Sequence, residues 1–262
     1  MEQPIQFESQ GQQVIGMLHI PDSYSVDPVP GVVFLHGFKD DRTGPARLYV
    51  IIARQLADMG FACLRIDFRG SGDSDGKFVD CTISSQIHDA HYAVDFLRER
   101  PEVDPNRIGI MAMSMGAIIA AYLVSADQDI KAVVLLCPVA DPAAAAQRQS
   151  GPTTVNDLAA RGYTDIDGWA VSKTFIKELN ASKPLEVMVQ SPAPVLLIHG
   201  DADETVPIGD SALYAEALED ADRTFRKHVI HEADHKFASN RWQYEVMAVA
   251  SDWFLKHVMS AQ

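Results

Sequence analysis

Arg107-Ile108-Gly109-Ile110-Met111-Ala112-Met113-Ser114-Met115-Gly116-Ala117-Ile118-Ile119-Ala120-Ala121-Tyr122-Leu123-Val124 decides how this chain reads. Its first six residues form a short apolar strand, and from Gly116 onward runs an apolar stretch of helical length without breakers. Ser114 therefore falls at a turn between strand and helix. A nucleophile elbow has that form: a strained turn, written G-x-S-x-G, whose small neighbours let the serine stand clear of the backbone. Ala112 occupies the first position of the pattern here. Gly72-Asp73-Ser74-Asp75-Gly76 matches the pattern letter for letter, but it lies in a polar, glycine-rich loop with no helical apolar run directly behind it. Context selects Ser114 as the nucleophile and leaves Ser74 as a turn serine.

Outward from the elbow, strand and helix patterns alternate. Ile5 to Phe7 and Val14 to Ile20 read as an antiparallel pair around Gly11, and Gly31 to Leu35 is a continuous apolar run suited to a strand covered on both faces. A helix from Ala46 to Met59, a strand from Phe61 to Phe68 and a helix from Ile83 to Arg100 precede the elbow. After it come strands at Lys131 to Leu136, Ala193 to His199 and Thr224 to Ile230, with helices at Ser211 to Leu218 and Trp242 to Val258. Such alternation predicts a mostly parallel eight-stranded sheet with helices on both faces and sites at the carboxyl ends of its strands. Residues 1–137 and 193–262 form this core. Residues 138–192 break the alternation, with Gly151-Pro152 and the aromatics Tyr163, Trp169 and Phe175; they read as an inserted lid with helices or a small hairpin of its own, the aromatics chiefly packing within it.

A serine hydroxyl attacks only when a base takes its proton, and a carboxylate must hold that base in the right tautomer. The carboxylate is sought in His199-Gly200-Asp201-Ala202-Asp203-Glu204-Thr205-Val206-Pro207, a loop at a strand's carboxyl end with three acids. Of nine histidines, His231 and His235 come directly after the next strand and His257 lies near the chain end on the final helix; His235 directly precedes the closing helix. His231-Glu232-Ala233-Asp234-His235 also spells H-E-x-x-H, but that zinc pattern requires a helix and the residues before it alternate like a strand. Oxyanion donors are expected at Met115 N–H, at the start of the elbow helix, and at Phe38 N–H in His36-Gly37-Phe38, with Gly37 permitting close approach. His36 is expected to hold that loop by side-chain hydrogen bonds.

Thirty-six acids against twenty-two lysines and arginines give a formal charge of −14, which argues against nucleic acid or an anionic membrane as partner. Three cysteines, Cys63, Cys81 and Cys137, are odd in number and unspaced for metal, so they read as buried thiols. Without a leader-like start or a span of transmembrane length, the expected location is the cytoplasm.

Together His36-Gly37-Phe38, Asp67-Phe68-Arg69-Gly70, the elbow, His199-Gly200 to Pro207 and Ala233-Asp234-His235 resemble the α/β-hydrolase family over nearly the whole chain. The resemblance implies that the acid is Asp203, three residues after the glycine, that the base is His235, and that no metal or cofactor takes part. Lys183-Pro184-Leu185-Glu186 and the preceding Phe175-Ile176-Lys177-Glu178-Leu179 resemble the cinnamoyl or feruloyl esterase group, from which Ala112 and Met115 depart. The expectation is a serine carboxylesterase acting on a small-molecule ester with a short acyl or hydroxycinnamoyl group, with a homodimer left open. The rivals are a peptidase or thioesterase with the same triad and a non-catalytic binding protein.

Overall fold

The computed structural model describes residues 1–22, 27–149, 151 and 154–260. β1 (Glu2–Ser9) and β2 (Gln12–His19) pair antiparallel and turn through Gln10 and Gly11, both with positive φ. β3 (Val29–Leu35), α1 (Leu48–Asp58), β4 (Ala62–Ile66), α2 (Ile83–Arg98), β5 (Val103–Met113), α3 (Gly116–Ala126) and β6 (Ala132–Leu136) follow. Residues 138–192 hold α4 (Pro142–Gln149), α5 (Thr154–Arg161), a hairpin of β7 (Tyr163–Ile166) and β8 (Trp169–Ser172), α6 (Lys173–Ala181) and α7 (Pro184–Met188). Pro152 of the Gly151-Pro152 break lies outside the described residues. The chain closes with β9 (Val195–Gly200), α8 (Gly209–Asp220), β10 (Phe225–Ile230) and α9 (Asn240–Phe254), then a π turn over Leu255–Met259.

Eight strands form one sheet in the order β1-β2-β4-β3-β5-β6-β9-β10, antiparallel as far as β4 and parallel beyond it. This is the mostly parallel sheet that the alternation predicted, in the α/β-hydrolase arrangement that the resemblance implied. Successive strand residues face opposite sides, and both sides are apolar: Val33, Leu35, Ile110, Ala112 and Leu197 join one core cluster with α2 and α3, while Val32, Phe34, Met111, Met113 and Ile198 join a second with α1 and α9. Strand order reverses around β3, because the chain moves outward to β4 and then crosses back to β5. A crevice forms at the carboxyl ends at such a reversal, and the loops after β3 and β5 carry Phe38 and Ser114.

One boundary differs from expectation with a visible cause. The helix expected from Ala46 begins at Leu48, because Ala46 and Arg47 have φ of 49° and 63°. These left-handed residues turn the chain where Pro45 and Ala46 line the site's pocket, and Tyr49 then reaches Leu35 O at 2.9 Å. All three cysteines are buried and free. Among the described residues no helix is long and apolar enough to cross a membrane.

Candidate active site

Ser114 stands at the end of β5 with φ of 55°, a conformation that costs a non-glycine residue about 1–3 kcal/mol and persists only when its surroundings hold it. Its N–H donates to Leu136 O at 2.8 Å, and its carbonyl accepts from Ala117 N at 3.1 Å and Val139 N at 3.3 Å. The elbow's two motif positions behave differently. A Cβ on Gly116 would lie 2.5 Å from Leu35 O and 2.7 Å from His36 O, so glycine is required where α3 starts against the end of β3. Ala112 is fully buried and pairs in unbroken register with Leu35 and Leu135; the core, not the turn, absorbs its methyl.

The structure brings the sequence candidates together. His235, in the turn between β10 and α9, places Nε2 3.1 Å from Ser114 Oγ and Nδ1 2.7 Å from Asp203 Oδ2. Asp203 Oδ1 accepts from Thr205 N and Val206 N, each at 2.8 Å. Burial by itself would raise the Asp203 pKa, but hydrogen bonds from His199 and His235 outweigh it and hold the carboxyl well below the usual carboxylate range. The neighbouring acids do other things. Asp201 accepts from Glu232 N at 2.6 Å and pairs with His231 Nδ1 at 2.9 Å, and Glu204 is exposed.

Residues 231–238 form turns and not a helix, and the two histidines of H-E-x-x-H bond to different carboxylates, so the geometry that motif needs is not made. Ser74 is a turn serine: Oγ accepts from Ile15 N at 2.8 Å and donates to Asp67 O at 2.7 Å. His36 holds its loop through Nδ1 to Gly37 O at 2.8 Å and Nε2 from Phe68 N at 3.0 Å. One residue of the site escaped sequence reasoning. His199 Nε2 lies 3.2 Å from Asp203 Oδ2, and the only signal was its place at a strand end directly before the acid loop.

Around Ser114 opens a pocket of about 530 Å³. Gly37 packs so closely that a Cβ there would lie 3.2 Å from Ser114 Cβ. Phe38 and Met115 both line the pocket, and among the described residues neither backbone N–H meets an acceptor, which leaves two donors free beside Ser114. Its lining includes the apolar Ile118, Val139, Val171, Phe175, Ile176 and Leu179 together with the polar Lys39, Asp40, Thr205 and Lys236. Burial raises the Asp40 carboxyl above its usual range, against the pull of His36 and Lys236. Phe175 is buried, with its ring 5.7 Å from Phe38 and 6.0 Å from Phe78, while Trp169 packs on Phe78 at 4.7 Å. Lys39 Nζ meets Asp167, in the β7–β8 turn, at 2.6 Å. Helices and hairpin from residues 138–192 thus meet the Phe38 loop across the pocket.

The Prolyl oligopeptidase family matches residues 49–261, which include the elbow, the acid loop and the histidine turn. The chain belongs to the prolyl oligopeptidase family. As such it is a hydrolase of the α/β-hydrolase type. Palmitoyl-protein thioesterase ABHD10, mitochondrial, of Bos taurus is 24% identical over 217 residues, covering 79% of this chain and 68% of its own length. The quorum-quenching protein AidA of Acinetobacter baumannii is 28% identical over 192 residues, covering 72% of this chain and 58% of its own. Among solved structures, ferulic acid-bound Est1E from Butyrivibrio proteoclasticus superposes with a TM-score of 0.84 at 22% identity, over 97% of this chain and 99% of the other. That likeness is one of fold.

Proposed function

We propose that this hydrolase is a serine carboxylesterase working through an acyl-enzyme. The observation that carries the reading is the unbroken relay from Ser114 Oγ through His235 to Asp203, at 3.1 and 2.7 Å, at a pocket with many apolar lining residues. In this reading Ser114 Oγ bonds to the acyl carbon while His235 Nε2 takes its proton, and His235 returns that proton to the departing alkoxide as the ester bond breaks. The N–H groups of Phe38 and Met115 receive the charge that develops on the carbonyl oxygen. Water then attacks the acyl-enzyme by the same route in reverse, releasing the acid and freeing Ser114. Residues 138–192 serve as a lid whose Val171, Phe175, Ile176 and Leu179 shape the acyl side; short acyl and aryl or hydroxycinnamoyl groups suit that wall, in keeping with the ferulic acid bound to Est1E.

A thioesterase reading has one observation of its own, the palmitoyl-protein thioesterases among the relatives, and the same triad would serve it. Buried free thiols suit a cytoplasmic setting, and the −14 charge favours a small-molecule partner over nucleic acid. A fluorophosphonate probe should label the folded protein, with labelling lost in Ser114→Ala and kept in Ser74→Ala. Release rates on matched ester, thioester and amide substrates should rank the ester first; faster amide or thioester release would replace this reading with its rival.

A further inference from the structure

We infer that His199 is a positioning residue for Asp203: a second imidazole, anchored in the sheet, that shares Asp203 Oδ2 with His235 and fixes the carboxylate plane from behind. The inference rests on the triad reading above. His199 lies in β9, in register with Val229 of β10, and its side chain is fully buried. The backbone beside it is tied to the next strand by Cys137 N donating to Ile198 O at 2.8 Å. It is therefore held on both sides by strand pairing.

Its Nε2 lies 3.0 Å from Val206 O and 3.2 Å from Asp203 Oδ2. Both are acceptors, so Nε2 carries the ring hydrogen and divides it between them. Nδ1 is buried and has no partner among the described residues, which leaves the ring a donor on one side only. Val206 N returns a hydrogen bond to Asp203 Oδ1 at 2.8 Å. These contacts close a ring from His199 to Val206 to Asp203 and back to His199, joining strand β9 to two points of the acid loop. Thr205 and Val206 hold Oδ1, and at Oδ2 the catalytic His235 bonds at 2.7 Å. His235 takes its own aim from that oxygen, so His199, fixed in β9, is the contact that keeps Oδ2 in place when the His235 imidazole shifts.

The polar surroundings agree with a brace. Polar side-chain atoms of Cys137, His199 and Asp203 lie within 4.8 Å of one another, and burial, followed by the Asp203 charge, pushes the Cys137 thiol pKa well above its usual value. Asp234 adds further negative charge on the thiol's side. The thiol thus stays protonated and puts no second anion beside Asp203.

The test uses the full chain with His199→Leu, which removes the donor, and His199→Gln, whose amide reaches as far as Nε2. If the leucine variant does not fold, His199→Asn, whose amide stops short of Oδ2, takes its place. Expected for the variant without the donor is a fall in kcat of about 10-fold or more, the scale of one lost hydrogen bond to a charged group, with KM nearly unchanged. The downfield proton resonance of the His235–Asp203 hydrogen bond should shift or vanish, and glutamine should restore both readouts. Unchanged kcat and resonance in the folded variant, or equal impairment in the leucine and glutamine variants with the resonance intact, would overturn the inference. Recording that resonance in a Ser114→Ala background tests the brace without turnover. A wild type that hydrolyses no ester refutes the esterase reading, while the resonance still tests the brace.

Discussion

Gly116→Ala pits helix propensity against packing, and the structure says which wins. In an isolated helix the exchange should help by about 0.5–1 kcal/mol, since alanine loses less conformational freedom on folding. At this position the new Cβ would lie 2.5 Å from Leu35 O and 2.7 Å from His36 O. An ordinary C···O contact is about 3.3 Å, so the first turn of α3 and the end of β3 must part by about 0.6–0.8 Å. Both obstacles are backbone atoms, so no side chain can swing aside. Overpacking of this kind costs about 1–3 kcal/mol, which exceeds the propensity gain. The melting temperature should fall by a few degrees, at about 2–4 °C for each kcal/mol in a domain of this size. The two parts forced away from each other carry Met115 and Phe38, whose N–H groups must converge on one oxygen. A displacement approaching 1 Å in such a constellation costs about 100-fold, so kcat should fall by that order while the protein remains folded. Ester kinetics, a thermal melt and fluorophosphonate labelling on the same preparation measure each effect. A folded Gly116→Ala variant with wild-type kcat would refute the proposed oxyanion site.

Two further outcomes follow from the same geometry. Phe175→Ala should destabilise by about 3 kcal/mol, because it removes a buried ring packed on Phe38 and Phe78, and should shift an acyl-ester panel toward bulkier groups; an unchanged panel would remove Phe175 from the acyl wall. Asp203 has a depressed folded-state pKa, so its stabilising contribution is complete above the unfolded value of about 3.9 and is lost as pH falls below it toward the folded value. Urea midpoints should therefore drop through that acidic window, and Asp203→Asn should lower the neutral-pH midpoint while flattening that part of the curve.

Much of this was legible because both faces of the central strands are buried: continuous apolar runs at Val32 to Leu35, Ile110 to Met113 and Leu196 to Ile198 can be little else between helical patterns. Where local chemistry competes with pattern, legibility failed. The helical pattern from Ala46 gave no warning that Ala46 and Arg47 turn left-handed, because that bend answers to the Thr43, Tyr49 and Leu35 contacts. Residue types alone left Asp201, Asp203 and Glu204 as rival acids, and resemblance chose among them. The structure adds the physical difference: Asp201 braces His231 and Glu232, while Asp203 is buried against His235.

The sequence by itself determined the strand, turn and helix around Ser114, the parallel sheet, and the loops from which partners could come, since these follow from local periodicity and chain order. Tertiary structure alone decided which atoms meet. Ser114 and His235 are 121 residues apart, and their 3.1 Å contact exists because β5, β9 and β10 end on the same edge of one sheet. The same closure buries Asp203, puts His199 behind it and fixes glycine at 116 while tolerating alanine at 112. Such effects depend on distances between strands, which no local pattern of residues encodes.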